Sequence, residues 1–69
     1  MKISARNIVK GKVVEVKPGT VNTEIVLEIS GGTKLVSIIT KASGENLGLA
    51  VGKTAYAIIK ASNVLIGVD

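Results

Sequence analysis

Residues 22–33, NTEIVLEISGGT, contain the pattern that decides the fold. The odd-numbered positions from Ile25 to Ile29 are apolar, and Glu24 and Glu28 stand at even-numbered positions between and beside them. This two-residue period is typical of a strand with one buried face. Two glycines at positions 31–32 follow it, and both can adopt positive φ. They predict a tight two-residue hairpin into a third strand.

The same reasoning, extended outward, predicts five strands. They are expected at Ile8–Lys17, Asn22–Ser30, Thr33–Thr40, Lys53–Lys60 and Asn63–Val68. Residues 41–49 break the strand pattern, and Thr40 or Ser43 is expected to cap a short helical turn there that Gly48 ends. The order β-β-β-α-β-β is that of the all-β OB-fold, a partly open five-stranded Greek-key barrel. It predicts a single domain over residues 1–69.

The composition predicts a homo-oligomer. A chain of 69 residues is near the size at which one core is only marginally stabilising. Cysteine and histidine are both absent, which removes disulfides and the usual zinc ligands. Hydrophobic residues make up 46% of the chain, although Tyr56 is the only aromatic. Several predicted strands are apolar on both faces, so we expect part of this surface to lie between subunits.

The charge balance predicts an anionic partner. Nine Lys and Arg against five Asp and Glu give a formal charge of +4, with a pI near 9.7. No apolar run approaches the length of a membrane span, and none resembles a signal peptide behind Met1. We therefore expect a soluble cytoplasmic protein that does not contact a membrane.

The sequence offers few candidate catalytic residues. Without His or Cys, and with the acidic residues scattered, no nucleophile–base pair, carboxylate dyad or metal site is evident. Residues 48–54, GLAVGKT, resemble a phosphate-binding loop but have three residues between the glycines where the motif needs four. A strand, not a helix, is predicted after them. We expect a binding protein without enzymatic activity or an organic cofactor.

Nucleic acid is the generic alternative, because OB barrels often bind single strands. Such binding uses several aromatic side chains as stacking platforms, and one tyrosine does not furnish a platform. The sequence therefore favours a partner other than nucleic acid.

Three short segments hold groups suited to a compact tetrahedral oxyanion. Residues 4–7 offer a hydroxyl, a guanidinium and an amide, residues 40–44 offer two hydroxyls, and residues 60–62 offer an ammonium and backbone N–H groups. Fixed donors and one or two cations suffice to hold a doubly charged anion. Taken separately, each residue is more typical of an ordinary role than of a binding site: Arg6 and Lys60 of solvated charges, and Thr40 and Ser43 of helix caps.

A family resemblance connects these segments. Five segments of the chain together carry the resemblance: Ser4-Ala5-Arg6-Asn7, Lys10-Gly11-Lys12-Val13, Ile39-Thr40-Lys41-Ala42-Ser43-Gly44, Leu47-Gly48-Leu49 and Ala57-Ile58-Ile59-Lys60-Ala61. In these segments the chain resembles the molbindins, or Mop proteins. The resemblance spans the whole chain, and the SARN start is its most specific element. It departs mildly at Ile8-Val9, where the family more often has a polar residue and Leu. It implies an OB-fold that assembles as a hexamer, a trimer of dimers, and binds molybdate or tungstate between subunits.

When the family's site residues are transferred to the matching motifs of this sequence, the resemblance implies a principal oxyanion pocket shared by two chains. One half of the pocket comes from one chain and the other half from its neighbour. The first half is Ser4, Arg6, Lys60 and the Ala61 amide. The second is Thr40, Ser43 and the Gly44 amide. A second class of site near the threefold axis has the turn Lys17, Gly19, Thr20, Val21 and Asn22 as its candidate.

The role implied by the resemblance is storage, buffering or delivery of the oxyanion. A regulatory module that senses the oxyanion and contacts another protein stays open, as does a domain that binds single-stranded nucleic acid.

Overall fold

The sheet is built around one long strand. The computed structural model describes all residues, Met1–Asp69. Four antiparallel strands lie in the order β3-β2-β1-β4. They are β1 Asn7–Pro18, β2 Asn22–Glu28, β3 Lys34–Thr40 and β4 Thr54–Ile59. Helix α1, Lys41–Asn46, follows β3, and 3-10 turns occupy Ser30–Gly32 and Ala61–Asn63.

Strand β1 divides its length between two neighbours. Its N-terminal half, from Asn7 to Lys12, pairs with β4, and its C-terminal half, from Lys12 to Pro18, pairs with β2. The register with β2 shifts between Val13 and Glu15. A bulge of this kind bends a strand and increases its twist. The two halves of β1 therefore run in different directions. Because β4 pairs with one half and β2 with the other, the sheet curls.

The core lies inside the curl. Val13, Ile25 and Leu27 are buried and contact one another, and smaller or half-buried side chains pack against them. Gly11 permits this closure, because a Cβ there would lie 3.0 Å from the Glu28 carbonyl oxygen. Only 5 of 69 residues are buried in the isolated chain, so much of its apolar surface stays in contact with water.

Most predicted elements are confirmed. The all-β class, the first four strands and the short helix after the third strand are present, with strand ends within a few residues of those expected. Thr40 caps the helix by accepting a hydrogen bond from the Ser43 amide. Gly48, with φ of +63°, follows the helix as expected for a terminating glycine.

Two predictions are wrong in detail. The loop between β2 and β3 runs from Ile29 to Thr33, because the register pairs Glu28 with Lys34 and the Ile29 amide donates to the Thr33 carbonyl. Both glycines have positive φ, but they lie in a longer loop than a two-residue hairpin. The fifth strand, Asn63–Val68, is not formed: Asn63 ends a 3-10 turn and residues 64–69 pair with no strand. A strand needs a hydrogen-bonded neighbour, and no edge of this sheet receives the segment.

An apolar groove opens between β3 and β4, the two edges of the sheet. Its volume is about 600 Å³, and 13 of its 15 lining residues are hydrophobic. Its lining residues include Ile25 and Leu27 of β2, Leu35 and Ile39 of β3, and Ile59 of β4.

No helix is both long and apolar enough to cross a membrane.

We expect Val13→Ala to lower the free energy of unfolding by about 2 kcal/mol, from ~0.8 kcal/mol for each buried carbon group lost plus a cavity contribution. Val13 is fully buried, whereas Val51 is 67% exposed. Val51→Ala therefore removes the same atoms at the surface and should change stability by less than about 0.5 kcal/mol. Urea denaturation at one fixed protein concentration measures both. Equal losses for the two variants would place the core elsewhere.

Candidate functional site

The pairing of β1 with β4 brings two cationic side chains to one end of the sheet. Asn7 is paired with Ile59, so Arg6 and Lys60, which come directly before β1 and directly after β4, lie at the same end of the sheet. Both side chains are exposed, and neither forms a salt bridge. Acidic residues are absent from residues 1–14 and from residues 46–68. The chain thus presents two uncompensated positive charges side by side.

Neutral donors surround this pair. Ser4 is exposed and lies two residues before Arg6. The 3-10 turn Ala61–Asn63 begins directly after Lys60, and the Asn63 amide donates to the Lys60 carbonyl at 2.9 Å. The first N–H groups of a helical turn have no acceptor within it, which leaves the Ala61 amide free to bind an anion. We call Ser4, Arg6, Lys60 and Ala61 the cationic group.

The second predicted half is a cluster of hydroxyls where β3 meets α1. The Thr40 hydroxyl accepts from the Ser43 amide at 3.1 Å and donates to Ser43 Oγ at 2.8 Å. Gly44 is half-buried, and a Cβ there would lie 3.8 Å from the Thr23 Cβ, so this turn rests on β2. We call Thr40, Ser43 and Gly44 the hydroxyl group.

These two groups lie at opposite ends of the sheet. Thr40 is paired with Asn22, and Thr23 is paired with Pro18, the last residue of β1. Arg6 precedes the first residue of the same strand. At a rise of about 3.3 Å per residue, the 12 residues of β1 place its two ends up to ~36 Å apart along the strand. Within one chain, the cationic and hydroxyl groups are not brought together.

The candidate for a second class of site lies beside the hydroxyl group. Its turn is closed by a hydrogen bond from the Gly19 amide to the Asn22 carbonyl at 2.7 Å. The Lys41 amide donates to the Val21 carbonyl at 2.8 Å, which ties the turn to the start of α1. Thr20 and Val21 are exposed at its tip.

Lys17 does not offer that turn a free cation. Its ammonium lies 3.0 Å from a Glu15 carboxylate oxygen and 3.8 Å from one of Glu24. The hydrogen bond to Glu15, together with the negative charges of Glu15 and Glu24, raises the pKa of Lys17 above its ordinary value. Neither carboxylate was predicted from the sequence as a partner of Lys17. The spacing of Glu15 and Lys17, two residues apart on one strand, is the signal that places them on one face.

Comparison with known proteins assigns the family. Residues 3–66 match the TOBE domain. A probable molybdenum-pterin-binding protein from Haemophilus influenzae is 52% identical over the full length of both chains. The structure of MopII from Clostridium pasteurianum superposes with a TM-score of 0.93 at 49% identity, covering 97% of this chain and 100% of that one.

A molybdate-bound crystal form of the cytoplasmic molybdate-binding protein ModG superposes with a TM-score of 0.95 at 46% identity. All of this chain is covered, against 49% of the ModG chain, so the fold recurs as part of a longer protein. The matches to Mop-named proteins extend over the SARN start, the hydroxyl group and the end of β4 alike. The chain belongs to the TOBE domain family and, within it, to the Mop proteins that its motifs resemble.

Proposed function

We propose that this protein binds molybdate in pockets formed where two copies of the chain meet. The observation that supports this proposal most directly is that the cationic and hydroxyl groups lie at opposite ends of β1. Donors to one small anion must all lie within about 2.7–3.2 Å of its oxygens. One chain does not meet that condition, whereas the cationic group of one chain placed beside the hydroxyl group of another would meet it.

The donor set suits a doubly charged tetrahedral anion. Arg6 and Lys60 supply two positive charges, and charge-assisted hydrogen bonds of this kind are about twice as strong as neutral ones. The Ser43 hydroxyl and the Ala61 amide add neutral donors, and Gly44 lies in the same helical turn as Ser43. None of these groups exchanges a proton with the anion, which supports binding without catalysis. Tungstate has the same shape and charge, and we propose that it binds in the same way.

Unsatisfied apolar surface supports assembly from several copies. Residues 64–69 pair with no strand, and Leu65, Ile66 and Val68 are each at least 87% exposed. Val36 and Ile38 on the outer face of β3 are also more than 60% exposed. Two apolar surfaces on different elements offer two places for contact with other copies. This supports the hexamer, a trimer of dimers, that the family resemblance implies.

We further propose storage, buffering or delivery of the oxyanion in the cytoplasm as the physiological role, with no organic cofactor. Relatives carry molybdenum-pterin-binding names, but an organic pterin ring calls for stacking partners. Tyr56 is the only aromatic residue, and it lies half-exposed on β4 opposite Lys10. This supports the inorganic anion as the bound species. The same shortage of aromatic residues disfavours single-stranded nucleic acid.

We expect Arg6→Ala to weaken molybdate binding about tenfold or more, because a buried charge-assisted hydrogen bond contributes roughly 1.5–3 kcal/mol. Lys34→Ala is the matched control. It removes the same positive charge at the start of β3, where none of the proposed donors lies. Isothermal titration calorimetry on both variants makes the comparison. If the two lose affinity equally, net charge alone drives binding and the proposed cationic group is wrong.

A shared pocket also predicts complementation. Lys60→Ala damages the cationic group and Ser43→Ala damages the hydroxyl group, so a homogeneous oligomer of either variant has no intact pocket. When the two variants are unfolded together and refolded as a mixture, some pockets pair an intact Lys60 with an intact Ser43. These pockets should recover parental affinity for molybdate.

Calorimetry of the mixture, with mass spectrometry to verify that subunits have mixed, provides the measurement. Binding no better than the average of the separate variants would mean that each pocket lies within one chain.

A further inference from the structure

The segment that follows the last 3-10 turn is apolar and has no neighbours within its own chain. Residues 64–69 pair with no strand, and Leu65, Ile66 and Val68 are 91%, 87% and 93% exposed. A Cβ added at Gly67 would meet no atom within 4 Å. The radius of gyration is 12.8 Å for 69 residues, whereas a compact domain of this length has one of about 11 Å. These observations agree that the segment projects from the body of the chain.

The apolar groove runs along two strand edges that also have no neighbour. Strands β3 and β4 are the two edges of the sheet, and residues of both line the groove. Every neighbouring pair in the sheet is antiparallel, so β3 and β4 run in opposite directions. A strand laid between them would be parallel to one and antiparallel to the other. It would pair both edges and close the sheet into a barrel.

The segment has the length and the pattern of such a strand. Its six residues match the six of β4 and the seven of β3. Because side chains alternate along a strand, Val64, Ile66 and Val68 share one face, and all three are apolar and β-branched. The opposite face ends in Asp69, whose carboxylate would be costly to bury among hydrophobic residues. A strand in the groove would therefore direct Ile66 and Val68 inward and Asp69 toward water.

We propose that residues 64–69 of one copy lie in the apolar groove of a second copy as its fifth strand, and that the second copy returns the same segment. Leu65, Ile66 and Val68 are not among the residues that line the groove of their own chain. Exchange between two identical chains is reciprocal, so one pair of chains fills two grooves with two segments. The inference rests on the assembly of several copies in the proposed function, but it does not require an oxyanion.

Chemical cross-linking tests the exchange. The chain has no cysteine, so Ile66→Cys and Leu35→Cys can be introduced together, which places one thiol on the segment and one in the groove. After treatment with a short bis-maleimide, denaturing gel electrophoresis should show covalent dimers as the main product. A product of monomer mass would place the segment in the groove of its own chain, and the absence of cross-links would mean that it does not lie in the groove. Either result would overturn the proposal.

The matched control combines Ile66→Cys with Lys10→Cys. Lys10 is exposed on β1 and does not line the groove. The exchange therefore predicts fewer dimers from this pair than from the pair with Leu35→Cys. Equal yields would show that the cross-links arise from collisions and would contradict the proposed docking. Circular dichroism of each variant verifies that the sheet is retained.

The direction of the side chains gives the second measurement. Ile66→Asp would place a carboxylate in the groove and should raise the dissociation constant of the oligomer at least about tenfold in analytical ultracentrifugation. Leu65→Asp adds the same charge to the outward face and should raise it by much less. Equal effects of the two variants, or no effect of either, would contradict the exchanged strand.

Failure of this inference and failure of the proposed function can be distinguished. A chain that cross-links as a dimer but binds no molybdate in calorimetry would refute the proposed function alone. A chain that binds molybdate but yields no cross-link between Ile66→Cys and Leu35→Cys would refute the strand exchange alone.

Discussion

The pairing of β1 with two different strands along its two halves is the constraint on which the rest of the structure depends. A single 12-residue strand supplies the register for β4 at one end and for β2 at the other. The bulge near Val14 and the missing side chain of Gly11 let these two ladders close toward each other. Both donor groups of the proposed pocket owe their position to this strand.

This arrangement explains why the donors are far apart in sequence and also in space. Antiparallel pairing joins the start of β1 to the end of β4, which brings Arg6 and Lys60 to the same end of the sheet although 53 residues lie between them in the sequence. The same pairing rule, applied through β2, carries Thr40 and Ser43 to the far end. A pocket assembled from both ends of β1 therefore uses chain assembly as part of its geometry. In the proposed oligomer, formation of this pocket would be linked to the burial of apolar surface between copies.

Much of the fold could be predicted from local patterns, and the misses have physical causes. The alternation from Ile25 to Ile29 and the break at residues 41–49 were sufficient to place β2 and α1. The length of the loop at Gly31 and Gly32 depends on which residue of β3 faces Glu28, which is a property of two strands and not of the glycines. The apolar pattern of residues 63–68 predicted a fifth strand, but a local pattern does not reveal that the sheet of the same chain has no place for it.

The residues of the proposed site were harder to predict from local sequence patterns than the fold was. Arg6, Thr40 and Lys60 became candidates only through a resemblance covering the whole chain, because each alone is typical of an ordinary surface residue. The ion pairs of Lys17 with Glu15 and Glu24 depend on the register of β1 with β2, which the sequence does not state.

The open edges of β3 and β4 have a consequence for the newly made chain. In a chain that has not yet joined the proposed oligomer, each edge exposes unpaired backbone groups next to an apolar groove, and Leu65, Ile66 and Val68 are also exposed. Such edges recruit any extended polypeptide, whether or not it is the correct one. Productive assembly is second order in chain concentration, so it competes in time with aggregation and proteolysis. Synthesis of many copies close together, as on one polysome, shortens the interval during which a solitary chain is vulnerable.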